Sequence, residues 1–144
     1  MKVEFTVPGE PTAKGRPNFY EDKRTGKRHA VTPAKTVEYE NLVKLEYQRQ
    51  CGRARFPDEA MLAATLTAYY GIPGSASKRR KAAMLAGVLR PTKKPDVDNV
   101  IKAVLDALNH LAYRDDVQVV ELTFHKLWSD RPRVEVVLED VNTP

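Results

Sequence analysis

The sequence predicts a single α/β domain of the α+β kind: a mixed sheet of about four strands, carrying two long helices and a short basic helix. Three observations lead there. Runs of strand character occur at Lys2–Val7, Ala60–Ile72, Val117–Trp128 and Arg133–Glu139. Apolar residues recur at helical spacing between Thr32 and Gln50 and again after Pro95. A chain of 144 residues, 42% hydrophobic and 30% charged, suits one globular core.

The elements follow in order. Lys2–Val7 alternates, with Val3, Phe5 and Val7 on one face, and Pro8 ends it. A long Gly/Pro-punctuated basic loop runs from Gly9 to about Val31; within it Tyr20–Lys27 reads as a small hairpin or a mobile loop. Phe19 and Tyr20 sit there among cations, suited either to stacking on unpaired bases or to packing the loop onto the sheet. Thr32 as N-cap and Pro33 at the first helical position open a helix to about Gln50, with Val37, Leu42 and Leu45, joined by Tyr39 and Val43, as its apolar stripe. Gly52 ends it.

Ala60–Ile72 is the longest apolar run and alternates Leu62, Ala64, Leu66, Ala68, the mark of a central strand. Ser75 or Ser77 caps a short helix over Lys78–Ala86, closed by Gly87, and a basic linker leads on to Lys94. The helix after Pro95 carries Val97, Ile101, Val104, Leu105, Leu108, Leu111 and Ala112 on one stripe. Val117–Trp128 places Val119, Glu121 and Thr123 on one face and Val120, Leu122 and Phe124 on the other. It is expected to pair with Arg133–Glu139 as an antiparallel hairpin across the turn Ser129–Pro132. The tail from Asp140 is expected to fray.

Composition excludes several classes. No apolar run approaches the roughly 20 residues that span a bilayer. MKVEFTVPGE is not a signal peptide, because Glu4 and Pro8 break any apolar core. The single cysteine, Cys51, reads as a reduced thiol, and His29, His110 and His125 lack metal-ligand spacing. Trp128, at a strand end, reads as a packing anchor. The net charge of +5 is unevenly spread. Ala60–Pro95 holds no acidic residue but has Lys78, Arg79, Arg80, Lys81, Arg90, Lys93 and Lys94. Lys14–Lys35 adds Lys14, Arg16, Lys23, Arg24, Lys27, Arg28 and Lys35 against Glu21 and Asp22. Taken alone each block is a solvated surface; two together, one running into an acidic motif, point to a polyanion.

That motif organises the chain. Asp96 and Asp98 open the helix, Lys102 follows Asp98 by one turn, and Asp98, Lys102 and Asp106 form a polar line beside the apolar stripe. Asp115-Asp116 closes the following loop. Two carboxylates two residues apart suit a hard divalent cation such as Mg²⁺, and a nearby lysine suits a phosphate. Each motif also has a plainer use, the first as helix cap and the second as turn.

The run Asp96-x-Asp98-Asn99-x-x-Lys102-x-x-x-Asp106-Ala107-Leu108, followed by Asp115-Asp116-x-Gln118-Val119 and Lys126, resembles the RusA family of Holliday junction resolvases. Pro11-x-x-Lys14-Gly15-Arg16-Pro17 and Tyr39-Glu40 are similar to its phage-type members. The resemblance implies a homodimeric, Mg²⁺-dependent endonuclease of a bacterial or prophage gene, with Mn²⁺ as an alternative metal and branched DNA as substrate in the host cytoplasm. It implies metal-binding catalytic aspartates at Asp96, Asp98 and Asp116 and an essential lysine at Lys102. Lys14, Arg16, Lys78, Arg79, Arg80, Lys81, Arg90, Lys93 and Lys94 are the candidate DNA-binding cations. The alternatives are a nuclease for flaps or forks, and a non-catalytic DNA-binding module.

One geometric expectation follows. A helix from Asp98 to Ala112 is roughly 15 residues and ~22 Å long, so a short loop does not bring Asp116 back to Asp98 unless the helix ends early or the loop folds back. A two-fold dimer with antiparallel helices solves this by bringing Asp116 of one subunit to the Asp pair of the other.

Overall fold

Val3, Phe5 and Val7 point inward from the first strand, β1 (Lys2–Pro8), as their alternation predicts. The computed structural model describes residues 1–141. After β1 come a hairpin of β2 (Asn18–Glu21) and β3 (Arg28–Val31), then helix α1 (Ala34–Cys51), strand β4 (Leu62–Gly71), helix α2 (Lys78–Leu85) and helix α3 (Val97–Leu108). A single 3₁₀ turn (Asp116–Gln118), β5 (Val119–Ser129) and β6 (Arg133–Asp140) complete it. No helix among the described residues is long and apolar enough to cross a membrane.

The main sheet runs β1-β6-β4-β5. β4 pairs antiparallel with β6 and parallel with β5, so the expected β5–β6 hairpin is split. The physical reason is apolarity: Leu62, Ala64, Leu66, Ala68 and Tyr70 are all buried, so β4 gains most from a neighbour on each edge. The Ser129–Pro132 turn steps over the end of β4, where the Ile72 amide donates to the Ser129 carbonyl at 3.1 Å. The phase of β5 also differs from a single alternation. Leu62 pairs with Val119 but Ala63 with Glu121, so Val120 is an extra residue, and Val119 shares a face with Leu122 and Phe124.

α1 and α3 pack together on the inner face of the sheet. In α1 the buried residues are Thr36, Tyr39, Val43, Glu46 and Tyr47, whereas Val37 and Leu45 are exposed. Of the expected stripe, Tyr39 and Val43 are buried and Leu42 packs against the core, while Val37 and Leu45 face outward because Thr36, Tyr47 and the paired Glu46 complete the inward face. Pro33, not Thr32, occupies the N-cap position. In α3 the buried face is Val100, Ala103, Val104, Leu105, Ala107 and Leu108; the alanines admit the neighbouring helix and Val97 stays exposed. α2 is capped by Ser77, whose hydroxyl accepts from the Arg80 amide at 3.2 Å.

The two outer strands differ. On β1, the amide of Gln50 from α1 bonds both the Thr6 N–H (2.8 Å) and the Thr6 carbonyl (2.7 Å), closing that edge. On β5, Val120 and Leu122 are exposed. The expected fraying beyond Asp140 falls, for residues 142–144, outside the described residues; Asp140 itself meets the Met1 ammonium at 3.1 Å.

Candidate active site

Asp96 occupies the N-cap position of α3, yet its carboxylate makes no capping hydrogen bond. Asp98, in the first turn, and Lys102, one turn later, are exposed, and none of the three forms an ion pair among the described residues. Capping therefore does not explain Asp96. The two carboxylates are unspent hard oxygen donors on a helix N-terminus.

The backbone that presents Asp96 is held from below. The Lys126 ammonium, on β5, donates to the carbonyls of Lys93 (2.7 Å) and Pro95 (3.3 Å) and lies 4.8 Å from the centre of the Tyr70 ring. The Tyr70 hydroxyl donates to the same Pro95 carbonyl at 2.6 Å. Burial, with the charge of Asp96 adding to it, pushes that phenol up to about 12, so it stays protonated as a donor. Trp128 packs edge-on to Tyr70 and under the Lys93 ammonium, the packing role expected of it. In the sequence Lys126 carries no signal of this role, and Tyr70 lies within an apolar run that gives none.

An open cleft of about 650 Å³ adjoins Asp96, lined among others by Lys14, Arg16, Lys35, Lys94 and Asn99. The loop that brings Lys14 and Arg16 lies tightly on the helices. The Lys14 amide donates to the Asn99 carbonyl at 3.0 Å and the Gly15 amide to Thr36 Oγ1 at 2.8 Å. A Cβ on Gly15 would stand 2.8 Å from Pro33 Cγ, so only glycine allows this approach. Lys14 turns inward: its ammonium meets Asp106 at 2.6 Å and Glu40 at 3.3 Å, and the Asp106 hydrogen bond holds its pKa above the ordinary lysine value. Arg16, Lys93, Lys94 and Arg90 are exposed. Lys78, Arg79 and Arg80 project from α2, and Lys81 lines a different cleft beside Glu10 and Asp130.

Asp115 and Asp116 divide their roles. Asp115 caps the 3₁₀ turn by accepting from the Val117 amide at 3.1 Å, and that bond holds its carboxyl below the usual range. Gln118 completes the cap and is buried with its amide fully used. Its oxygen accepts from Arg114 N and Asp115 N, and its nitrogen donates to the carbonyls of Pro57 (2.9 Å) and Ala60 (3.1 Å). The Asp116 amide donates to Asn109 Oδ1 at 2.9 Å. Its side chain is left over, beside Asp106. Burial, with hydrogen bonds to Asp115 and Asp106, pushes it up to about 6.

α3 is shorter than expected, 12 residues or ~18 Å, ending at Leu108. Asp116 still lies at its far end: Asp106, its neighbour, is eight residues and ~12 Å along the axis from Asp98. Among the described residues no three of His, Cys, Asp or Glu form a metal-binding group. One chain thus presents two acidic groups, the candidate half-sites of a metal centre, separated along the helix.

A protein of Bacillus subtilis (strain 168), the uncharacterized YqaN, is 42% identical over 142 residues, covering 97% of each chain. The family model described as endodeoxyribonuclease RusA matches residues 8–139, which takes in both acidic half-sites and Lys102. The chain belongs to the RusA endodeoxyribonuclease family.

Proposed function

We propose that the protein is a Mg²⁺-dependent endonuclease that resolves Holliday junctions by paired hydrolysis of phosphodiester bonds, acting as a homodimer. The observation that carries this reading is a pair of carboxylates without an ion-pair partner among the described residues, Asp96 at the cap position of α3 and Asp98 one turn before the likewise unpaired Lys102, with a cationic cleft beside Asp96. These donors fit a hard cation that keeps much of its water and takes the rest of its ligands from phosphate oxygens. When bound there, Mg²⁺ supplies Lewis acidity toward the phosphate and lowers the pKa of water.

The chain's own groups do the rest. Asp96, Asp98 and Asp116 supply the carboxylate oxygens. Lys102 meets the scissile phosphate and offsets charge that develops on it. Arg16, Lys93 and Lys94 hold flanking phosphates, and Lys78, Arg79, Arg80, Lys81 and Arg90 extend that surface, while Lys14 positions Asp106 and Glu40. Affinity therefore falls steeply with salt.

A site shared between subunits is supported by two features. Asp116 stands beside Asp106, away from its own Asp96 and Asp98. Val117, next to it in the 3₁₀ turn, and Val120 and Leu122, on the open edge strand that follows, are exposed. A two-fold partner laid antiparallel along that edge covers them and carries its Asp116 end toward the Asp96 end of the first chain. Two such sites cut two strands symmetrically.

The test is cleavage of a labelled four-way junction and a matched linear duplex, with Mg²⁺ or EDTA. Paired nicks in the junction alone, abolished by EDTA, are expected. Asp98→Asn should lower the cleavage rate by at least about 100-fold while leaving junction affinity within about twofold, because it removes a metal ligand and no DNA contact. Binding without metal-dependent cutting would sink the reading in favour of a DNA-binding module. Equal cutting of both substrates would make it a nuclease without junction selectivity.

A further inference from the structure

The β2–β3 hairpin belongs to none of this. All eight of its strand residues are exposed, and it forms a sheet of its own. It contributes nothing to the hydrophobic core. Phe19 is 64% and Tyr20 54% exposed, which excludes packing of the loop onto the sheet as their purpose.

The hairpin is nevertheless well built. Asp22 accepts from the Arg24 amide at 2.9 Å and, through its carbonyl, from the Gly26 amide at 2.7 Å. Gly26 takes a φ of 69° that a side chain resists. Bare two-stranded ribbons are marginal in water, so one kept without core contacts calls for a partner.

Its two faces show what the partner is. Phe19 pairs with Ala30 and Tyr20 with His29, so Phe19 and Tyr20 point to opposite faces. On one face the Arg28 guanidinium lies 5.8 Å from the centre of the Phe19 ring. On the other, Tyr20 and His29 stack at 5.1 Å. Each face is thus a flat π surface with a cationic or protonatable neighbour. Lys23, Arg24 and Lys27 add charge at the tip.

The hairpin's position matters as much. Arg16, just before β2, and Lys35, just after β3, both line the cleft beside Asp96. At about 3.4 Å per residue the chain can carry Phe19 and Tyr20 up to roughly 10 and 14 Å from Arg16 at that rim.

We propose that this hairpin is a stacking blade for unpaired DNA bases, inserted beside the strand that is cut. The proposal deepens the nuclease reading and rests on it for the substrate. Stacking on aromatic rings tolerates any base, because every base has a π face, whereas a paired duplex presents none. The blade therefore adds affinity where base pairing is interrupted and little on intact duplex.

The experiment uses the full-length protein in EDTA at one fixed salt concentration. The probes are a single-stranded oligonucleotide containing 2-aminopurine and the same strand annealed into a duplex. Wild type should change the probe's fluorescence in the single strand. Phe19→Leu with Tyr20→Leu should remove that change and weaken single-strand binding by about fivefold or more per ring, with duplex binding altered less than about twofold. The exchange Phe19→Tyr with Tyr20→Phe should keep both, which separates loss of stacking from loss of folding. No fluorescence change by wild type, an unchanged leucine variant, or equal weakening on both probes would each overturn the proposal. Junction cleavage in Mg²⁺, run in parallel, keeps the two readings apart. Wild type that stacks but does not cut defeats only the resolvase, and wild type that cuts while the leucine variant binds strands normally defeats only the blade.

Discussion

Two adjacent aspartates illustrate how neighbours in sequence acquire different work. Asp115 spends its carboxylate on the Val117 amide, whereas Asp116 gives its backbone N–H to Asn109 and keeps its carboxyl against Asp106 and Asp115. Gln118 is what makes the division possible, since its side chain ties the turn to Pro57, Ala60, Arg114 and Asp115 at once. Replacing it by an apolar isostere leaves two part-buried carbonyls and two amides without that partner. Gln118→Leu should therefore lower stability by about 2–3 kcal/mol, read by urea unfolding, and should also depress cleavage because Asp116 loses its support. A variant of unchanged stability would show that the amide bonds are replaceable by water.

At the scale of elements, α1 is held by polar groups as much as by apolar ones. Glu46 is buried, and Arg49 bonds it with Nε at 3.0 Å and Nη2 at 2.7 Å; Gln50 adds a third bond at 2.7 Å. The Arg49 hydrogen bonds, ahead of Gln50, hold the Glu46 carboxyl below the usual carboxylate range. A depressed folded pKa means that the stabilisation is fully present at neutral pH and is lost as pH falls through that value. Glu46→Gln should thus be less stable than wild type at pH 7. The gap should narrow as the pH drops below about 4.3, the ordinary glutamate value. Thermal unfolding of both proteins between pH 3 and pH 7 checks it, and a gap independent of pH would refute the ionic account. Gln50 also bonds the β1 edge at Thr6, so this one residue both supports Glu46 and ties the helix to the sheet.

For the whole molecule, the separation of acidic half-sites makes a prediction about assembly. Asp98→Asn and Asp116→Asn should each be inactive alone. In a mixed dimer with shared sites, one site collects both substitutions and the other collects none. Co-refolding equal amounts should restore junction nicking to roughly a quarter of the wild-type rate, as single nicks, since half the dimers are mixed and half their sites intact. Sites built within one chain would give no restoration, because each would still carry one substitution. The two edges of the sheet fit the same picture, β1 sealed by α1 and β5 left with Val120 and Leu122 exposed.

Much of this was legible in the residues alone. The alternation of β1 and β4, the Ser77 cap, the Asp96-x-Asp98 and Lys102 spacing and the RusA resemblance all report on local pattern, and local pattern survives without the rest of the fold. In α1 the pattern finds Tyr39, Leu42 and Val43 but assigns Val37 and Leu45 to the inward face, which Thr36, Glu46 and Tyr47 take instead, because the burial of polar groups depends on partners that a single segment does not show. Whether β6 or β4 lies beside β5, whether a given aspartate caps a turn or stands free, and whether Phe19 and Tyr20 face the core or solvent were decided by the tertiary structure. Each of those outcomes is a competition among contacts between residues distant in sequence, and periodicity within one segment carries no record of it.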